Sequence, residues 1–392
     1  MGAPFVTLGI DALVDGDPPW AADARLGLLS NQASVNGELR HSRELLMNRF
    51  DGRLTTLFSP QHGFYAEKQD NMVESDHCTD GLTDLPIYSL YGNTRRPEPW
   101  MMADIDVLLV DLQDVGTRVY TFIYTMAYCL EAAAQLGKQV IVLDRPNPIG
   151  GEKTEGNLLR PNCRSFVGLY PLPMRHGLTI GEMARFMNQV GGINAHLDVV
   201  PMRGWRRTMY YEDTGLPWVF PSPNLPSVNS AVVYPGQVIW EGTTVSEGRG
   251  TTLPFELCGA PFWRHDEILD ALDERDIEGC FLRPVTFEPT SGKWMGEQCV
   301  GFHFHVTNRS LFRPYRASLG LLRVIMMLYP EKFSYKQPPY EYNYEQLPLD
   351  LILGDEAIRQ GLQQSVPVAE MEANWRAELN EFTAARENYL LY

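Results

Sequence analysis

The stretch IDVLLVDLQDVGTRVYTFIY, residues 105–124, decides the fold. Its first part, residues 105–110, is a short and almost wholly apolar run bounded by polar residues, which suits a parallel strand covered on both faces. Such a strand delivers Asp111, Gln113 and Asp114 to its C-terminal end. The loop 115–118 then leads into a helix starting near Val119. In open α/β sheets ligands sit in the crevice beyond the carboxyl ends of the strands, so this edge is the first candidate for an active site.

Segments on either side repeat the pattern. Strands are expected at 6–10, 26–29, 54–58, 139–143 and 197–200, alternating with helices at 42–49, 119–136 and 179–190. The last helix opens with Thr179 as N-cap and Glu182 three residues on, a capping box. Polar clusters follow four of these strands: Ser30-Asn31-Gln32, Ser59-Pro60-Gln61-His62-Gly63, the Asp111 group, and Asp144-Arg145-Pro146-Asn147-Pro148. A parallel sheet would align all four along one edge. The fold class is therefore α/β: a Rossmann-like, doubly wound, mainly parallel sheet forms an N-terminal domain over 1–210. A Pro-rich, irregular crossing at 211–235 leads to a smaller α+β C-terminal domain over 236–392. That domain is expected to hold a strand at 300–306, a core helix near 317–329 and an exposed helical tail from 368 to 388.

The chain of 392 residues is 44% hydrophobic, enough for a sizeable core and for two domains. A formal net charge of −16 argues against nucleic acid or an anionic membrane as main partner, because a phosphate-tracking surface needs a basic face. Residues 1–20 hold Asp11, Asp15 and Asp17 and lack the basic and apolar regions of a secretory signal, which points to the cytoplasm. The six cysteines lack CxxC spacing and read as free thiols. No glycine-rich dinucleotide or P-loop signature follows a strand, so no nucleotide cofactor is expected.

Carboxylates are the chemically interesting class. Glycoside hydrolysis needs a proton donor for the leaving oxygen and a second carboxyl to stabilise or trap the oxocarbenium-like state. Asp111, Asp114, Glu241, Glu247 and Glu256 are candidates, with His62 and His176 as loop histidines able to serve as acid, base or clamp. Arg118, Arg145, Arg175 and Arg249 offer planar forks for a carboxylate-bearing ligand. Tyr65, Tyr88, Tyr91, Tyr120, Tyr124 and Trp240 could stack on a sugar ring. For each of these the ordinary alternative is structural: a cap, a neutralising partner or a core ring. His303 and His305 share a strand face but lack a third ligand at fitting spacing, so no metal site is expected.

Taken together, the motifs resemble the exo-β-N-acetylmuramidases, formerly a domain-of-unknown-function family. The carriers are SNQAS at Ser30, FSPQHGF at Phe58, LPIYSLYG at Leu85, DVLLVDLQDVGTRVYT at Asp106, VLDRPNPIGG at Val142, PLPMRHGLTIGE at Pro171, PSPNLP at Pro221 and the YPG…WEGTTVSEGRGTTLPFE run from Tyr234. The resemblance implies a Rossmann-type domain joined to a smaller one. It also implies release of non-reducing terminal β-1,4-linked N-acetylmuramic acid from peptidoglycan fragments, without metal or nucleotide. On that reading Asp111, Asp114, Glu241, Glu247 and His62 are the candidates for catalysis. Asn31, Gln61, Gln113, Arg118, Tyr120, Arg145, Asn147, His176, Asn224 and Arg249 are the candidates for substrate binding. The partner is a small carbohydrate or muropeptide, and the chain is expected to be a monomer or homodimer. One departure stands out: the position of Gln61 is commonly glutamate in the family, and an amide can neither donate an acid proton nor act as a carboxylate nucleophile. A muropeptide-binding protein without catalysis, and an ester or amide hydrolase using His62 as base, are the competing readings; no nucleophile elbow supports the latter.

Overall fold

The computed structural model describes residues 5–18, 20 and 23–392. Its larger sheet contains β1 (Leu26–Ser30), β2 (Leu54–Ser59), β3 (Cys78–Thr79), β4 (Pro86–Ser89), β5 (Val107–Asp111), β6 (Gln139–Leu143) and β7 (His196–Val200), in the order β3-β4-β2-β1-β5-β6-β7. Only the β3–β4 pair is antiparallel. The six parallel strands follow the order 3-2-1-4-5-6 by rank along the chain, the Rossmann arrangement, with its switch point between β1 and β5. Both of these central strands are buried at every position, which is why their sequences are apolar without alternation. Their register runs from Leu26 opposite Val107 to Ser30 opposite Asp111.

Among the described residues this domain holds the α-helices α1 (Gly9–Asp15), α2 (Ser42–Arg49), α3 (Phe122–Leu136) and α4 (Ile180–Val190). The capping box of α4 forms as its sequence requires, with Thr179 N donating to Glu182 Oε2 at 2.9 Å and Glu182 N donating to Thr179 Oγ1 at 3.2 Å. Two boundaries differ from expectation. Residues 6–10 are not a strand: only Thr7 bridges, to Arg203, and the chain turns helical at Gly9, where Asp11 accepts the Leu8 N–H. Gly9 lies so close to Asp144 and Val200 that a Cβ there would stand 2.4 Å from the Asp144 nitrogen. Helix α3 starts at Phe122 rather than Val119, because Thr117 and Arg118 pair with the Met174–Arg175 segment and Tyr120 N closes a turn on Thr117 O.

The Pro-rich crossing is also less irregular than expected. Ser227 caps a helix, α5 (Val228–Gln237), that tolerates Pro235 near its end and passes into a 3-10 turn at Val238–Gly242. Burial of almost every α5 residue outweighs the proline, and Gly236 sits where a Cβ would meet the Pro314 carbonyl at 1.9 Å.

The C-terminal part holds an antiparallel sheet ordered β8-β10-β9, made of β8 (Leu257–Ala260), β9 (Cys280–Phe287) and β10 (Cys299–Val306). With it come α6 (His265–Ala271), α7 (Pro314–Leu328), α8 (Pro348–Leu353), α9 (Glu356–Gln363) and α10 (Val368–Ala385). The tail is not an exposed helix: Met371, Trp375 and Phe382 of α10 are buried. Beyond α10 the chain straps back over the first domain. Arg386 donates to the carbonyls of Gly151, Glu152 and Gly177, and Tyr392 Oη donates to Asp144 Oδ2 at 2.7 Å. Burial pushes the Asp144 carboxyl up to about 7 despite its donors. All six cysteines are free, four of them buried. No helix among the described residues is long and apolar enough to cross a membrane.

Arg118 pins the two domains together. Its guanidinium is wholly buried and donates to Asn157 O (2.8 Å) and Leu172 O (3.0 Å) on one side, and to Ile352 O (3.0 Å) and Leu353 O (2.7 Å) on the other. The latter two are carbonyls of the last turn of α8, which a cation satisfies well. Arg118→Met removes the donor from four carbonyls, of which Leu172 O keeps the Leu159 N–H and Leu353 O keeps Asn157 Nδ2, and is expected to lower unfolding free energy by about 3 kcal/mol, read by urea denaturation; a change under about 0.5 kcal/mol would rule out Arg118 as the pin.

Candidate functional site

A cavity lies between the domains, beyond the C-terminal ends of β2 and β5. The first domain contributes Gln61 and His62 after β2, Asn71, and Tyr120 and Thr121 from the loop before α3. The crossing contributes Ser222, Asn224 and Tyr234, and the second domain contributes Glu241, Arg249, Phe255, Tyr340 and Glu341. Three of these residues, His62 (φ 74°), Phe255 (φ 63°) and Glu341 (φ 45°), have left-handed backbone without being glycine. That conformation costs about 1–2 kcal/mol per residue, and it gathers where side chains must be aimed.

Glu341 and Tyr342 (φ 64°) form the centre of a tight turn closed by backbone bonds between Tyr340 and Asn343 in both directions, at 3.0 and 2.9 Å. Asparagine and glycine usually occupy such central positions. Here the turn drives the Glu341 carboxyl into the cavity, where Gln61 Nε2 donates to Oε1 at 3.0 Å and Tyr91 Oη donates to Oε2 at 2.7 Å. Thr121 Oγ1 donates to Gln61 Oε1 at 2.6 Å, which fixes the amide with its NH₂ towards Glu341. Burial raises the Glu341 carboxyl above the ordinary glutamate range, more than the Tyr91 and Gln61 donors lower it.

Glu241 sits in different company. Arg249 Nη2 is 2.8 Å from its Oε1, while Tyr340 Oη (2.6 Å) and Asn71 Nδ2 (2.9 Å) donate to Oε2. Arg249 also reaches Glu247 at 3.5 Å, and Lys293 Nζ donates to Glu247 Oε2 at 2.7 Å. Burial pushes Glu247 up, but Lys293 and Arg249 outweigh it and hold the carboxyl below its usual range. Glu247 faces an adjoining cleft of about 490 Å³, lined also by Asp70, Thr244, Trp294 and Lys336, and Arg249 stands between the two spaces. His62 Nδ1 lies 2.8 Å from Lys68 O, an arrangement that puts the proton on Nδ1 and leaves Nε2 as acceptor. Burial lowers its pKa to about 4, so the ring is neutral at pH 7.

Apart from Asn224 and Tyr120, the other expected site residues lie outside the cavity, in the scaffold beneath it. Asp111 is fully buried in an ion pair with Arg145, at 2.5 and 2.9 Å, and also accepts from Ser42. Asp114 accepts the Gly116 N–H at 2.8 Å, with His176 Nε2 3.2 Å away, and His176 Nδ1 accepts from Leu178 N. Gln113 donates to Asp114 O and Pro146 O, Asn147 to Leu178 O, and Asn31 to Pro221 O. Arg118 is the interdomain pin, not a ligand clamp. Asn224 lines the cavity while donating to Gln69 O, and Tyr120 lines it with its ring edge-on to Tyr234, centroids 6.1 Å apart. His303 and His305 do share a face, with ring centroids 4.0 Å apart, but Arg283 Nε is 3.2 Å from His305 Nε2, a cation where a metal would need none. No cluster of potential metal ligands occurs among the described residues.

Glu341 escaped the sequence reading. It is 280 positions from Gln61, and the PPYEYNYEQLP segment that carries it has no strand or helix period. Its density of prolines, tyrosines and acids was the one available signal.

A carboxylate-lined, aromatic-walled interdomain cavity is the kind of site that carbohydrate-active enzymes use. Residues 26–229 match the N-terminal part of the exo-beta-N-acetylmuramidase NamZ family and residues 232–392 its C-terminal part. The chain belongs to this family. It is 42% identical over 389 residues to the peptidoglycan beta-N-acetylmuramidase NamZ of Bacillus subtilis, covering 99% of this chain and 92% of that protein. Crystal structures of two DUF1343 family proteins from Bacteroides fragilis are similar in fold. One has a TM-score of 0.90 at 32% identity and full coverage of both chains; the other has 0.74 at 28% identity, with 99% of each covered.

Burial also lowers His41 to about 4. For His41 and His62 the unfolded side chain binds a proton near pH 6.5 and the folded one only near pH 4. Stability is therefore complete above about pH 6.5 and declines as pH falls to 4. Urea denaturation from pH 7.5 to 4 should show this fall, and His62→Gln should flatten part of it; an unchanged slope in the variant would contradict a neutral, buried His62.

Proposed function

We propose that the protein is an exo-acting glycoside hydrolase that releases non-reducing terminal β-1,4-linked N-acetylmuramic acid from peptidoglycan fragments in cell-wall turnover. The observation that carries this reading is the pair of cavity carboxylates in contrasting surroundings: Glu241 paired with Arg249, and Glu341 buried between an amide and a phenol. Hydrolysis of a glycoside uses two carboxyls with divided roles, and different surroundings are how a protein divides them. Identity of 42% to a peptidoglycan beta-N-acetylmuramidase across nearly the whole chain supports the same substrate.

The substrate is an anionic sugar, since N-acetylmuramic acid bears a lactyl carboxylate. Arg249, which lines both the cavity and the adjoining cleft, supplies a guanidinium for it. Tyr120, Tyr234 and Phe255 provide ring faces and edges against a pyranose. Glu241 is suited to stabilising positive charge at the anomeric carbon, and His62 Nε2 to accepting a sugar hydroxyl proton in a hydrogen bond. The cytoplasm is the compartment proposed for this reaction, in keeping with six unbridged cysteines.

The test is incubation of the protein with N-acetylmuramic acid-β-1,4-N-acetylglucosamine, following both sugars by mass spectrometry. Release of both is expected, with kcat/KM reduced by about 10²–10⁴ in Glu241→Gln. Intact disaccharide after prolonged incubation with folded wild-type protein would reject the reading.

A further inference from the structure

Gln61 and Glu341 meet across the domain boundary, and the geometry makes them unequal partners. The amide has no proton to give as an acid, but its orientation is locked by Thr121 so that its NH₂ faces Glu341 Oε1. Tyr91 is locked in the same sense: its oxygen accepts the Met72 N–H at 3.1 Å, which leaves its hydroxyl proton for Glu341 Oε2. Two donors with fixed directions therefore hold one carboxyl, on a turn whose left-handed backbone has no other evident use, at the wall of the cavity. Among the described residues no guanidinium or ammonium bonds to this carboxyl, whereas Glu241 and Glu247 each have a cation. Arg95, near enough to act on Glu341 through space, makes no ion pair with it, and the carboxylate of Glu241 faces it across the cavity.

We propose that Glu341 gives the glycosidic oxygen its proton, with Gln61 and Tyr91 as its positioning residues. This rests on the glycosidase reading above and assigns the acid within it. In the step, the O–H bond of the Glu341 carboxyl breaks and its proton passes to the glycosidic oxygen. The C1–O bond breaks with its electron pair leaving on that oxygen, which departs as a hydroxyl. Water then supplies a hydroxyl to C1, and its remaining proton returns through a pocket carboxylate to Glu341. Burial favours the protonated form of this carboxyl, with Glu241 adding to the effect and Tyr91, Gln61 and Arg95 opposing it.

The test compares two substrates. The disaccharide loses a sugar alkoxide that must be protonated; 4-nitrophenyl β-N-acetylmuramide loses a nitrophenolate that leaves without help. Glu341→Gln should reduce kcat/KM on the disaccharide by about 10²–10⁴-fold while keeping the aryl glycoside within about tenfold, and should abolish the basic limb of the pH profile. Equal losses on both substrates, or no loss on either, would overturn the assignment while leaving the glycosidase reading intact. Inactivity of wild-type protein on both would instead remove that reading and the assignment with it. If Glu341→Gln does not fold, Tyr91→Phe decides: losing a donor to the ionised carboxyl should move the basic limb to higher pH, and an unmoved limb overturns the proposal.

Discussion

The buried Arg118 guanidinium is the interaction on which the rest of this molecule depends. It leaves the loop after β5 and ends on the carbonyls of Ile352 and Leu353, so it joins the active edge of the sheet to the last turn of α8. Gly354, left-handed at φ 71°, follows directly, and a Cβ there would stand 2.7 Å from Arg118 Nη2. Burial lowers the tendency of this guanidinium to hold its proton, yet four carbonyls repay the desolvation with charge-assisted bonds. The segment just before α8 is the turn that carries Glu341. Holding α8 therefore holds the carboxyl opposite Gln61.

Beneath the cavity the polar residues at the strand ends form a second layer with a different task. Asp111 and Arg145 are paired out of contact with solvent, and Ser42 completes the carboxylate's bonds. Asp114 ties down Gly116, and Asp144 gathers Thr179, Gly181 and Tyr392. Buried charges are costly unless paired, so these groups are committed to holding the edge together. The loops above them line the cavity, with side chains satisfied in part by the opposite domain.

This division explains which parts of the site were legible in the sequence. Gln61, His62, Tyr120, Asn224, Glu241 and Arg249 are brought to one cavity. Asp111, Asp114, Arg118, Arg145 and His176 have the same residue types and the same positions relative to strand ends, but their bonds go inward. Nothing local separates the two groups, because a loop carboxylate looks alike whether it faces a cation below or a cavity above. The sheet itself was legible for the opposite reason. Each strand of the β1–β5 pair is an apolar run whose burial on both faces leaves no alternative period, and the Thr179–Glu182 box marks its helix by contacts only three residues apart.

The sequence by itself determined the doubly wound domain and the capping box of α4, since these follow from contacts between near neighbours and from continuous burial. Tertiary structure alone decided that the tail from α10 straps back over the first domain, that Pro235 is tolerated inside a helix, and that Glu341 faces Gln61. Each of these depends on groups distant along the chain and close in space, where burial and hydrogen bonding outweigh local preference: Arg386 finds the carbonyls of Gly151 and Gly177, Gly236 meets Pro314, and a strained turn is kept because Tyr91 and Gln61 bind the carboxyl it presents.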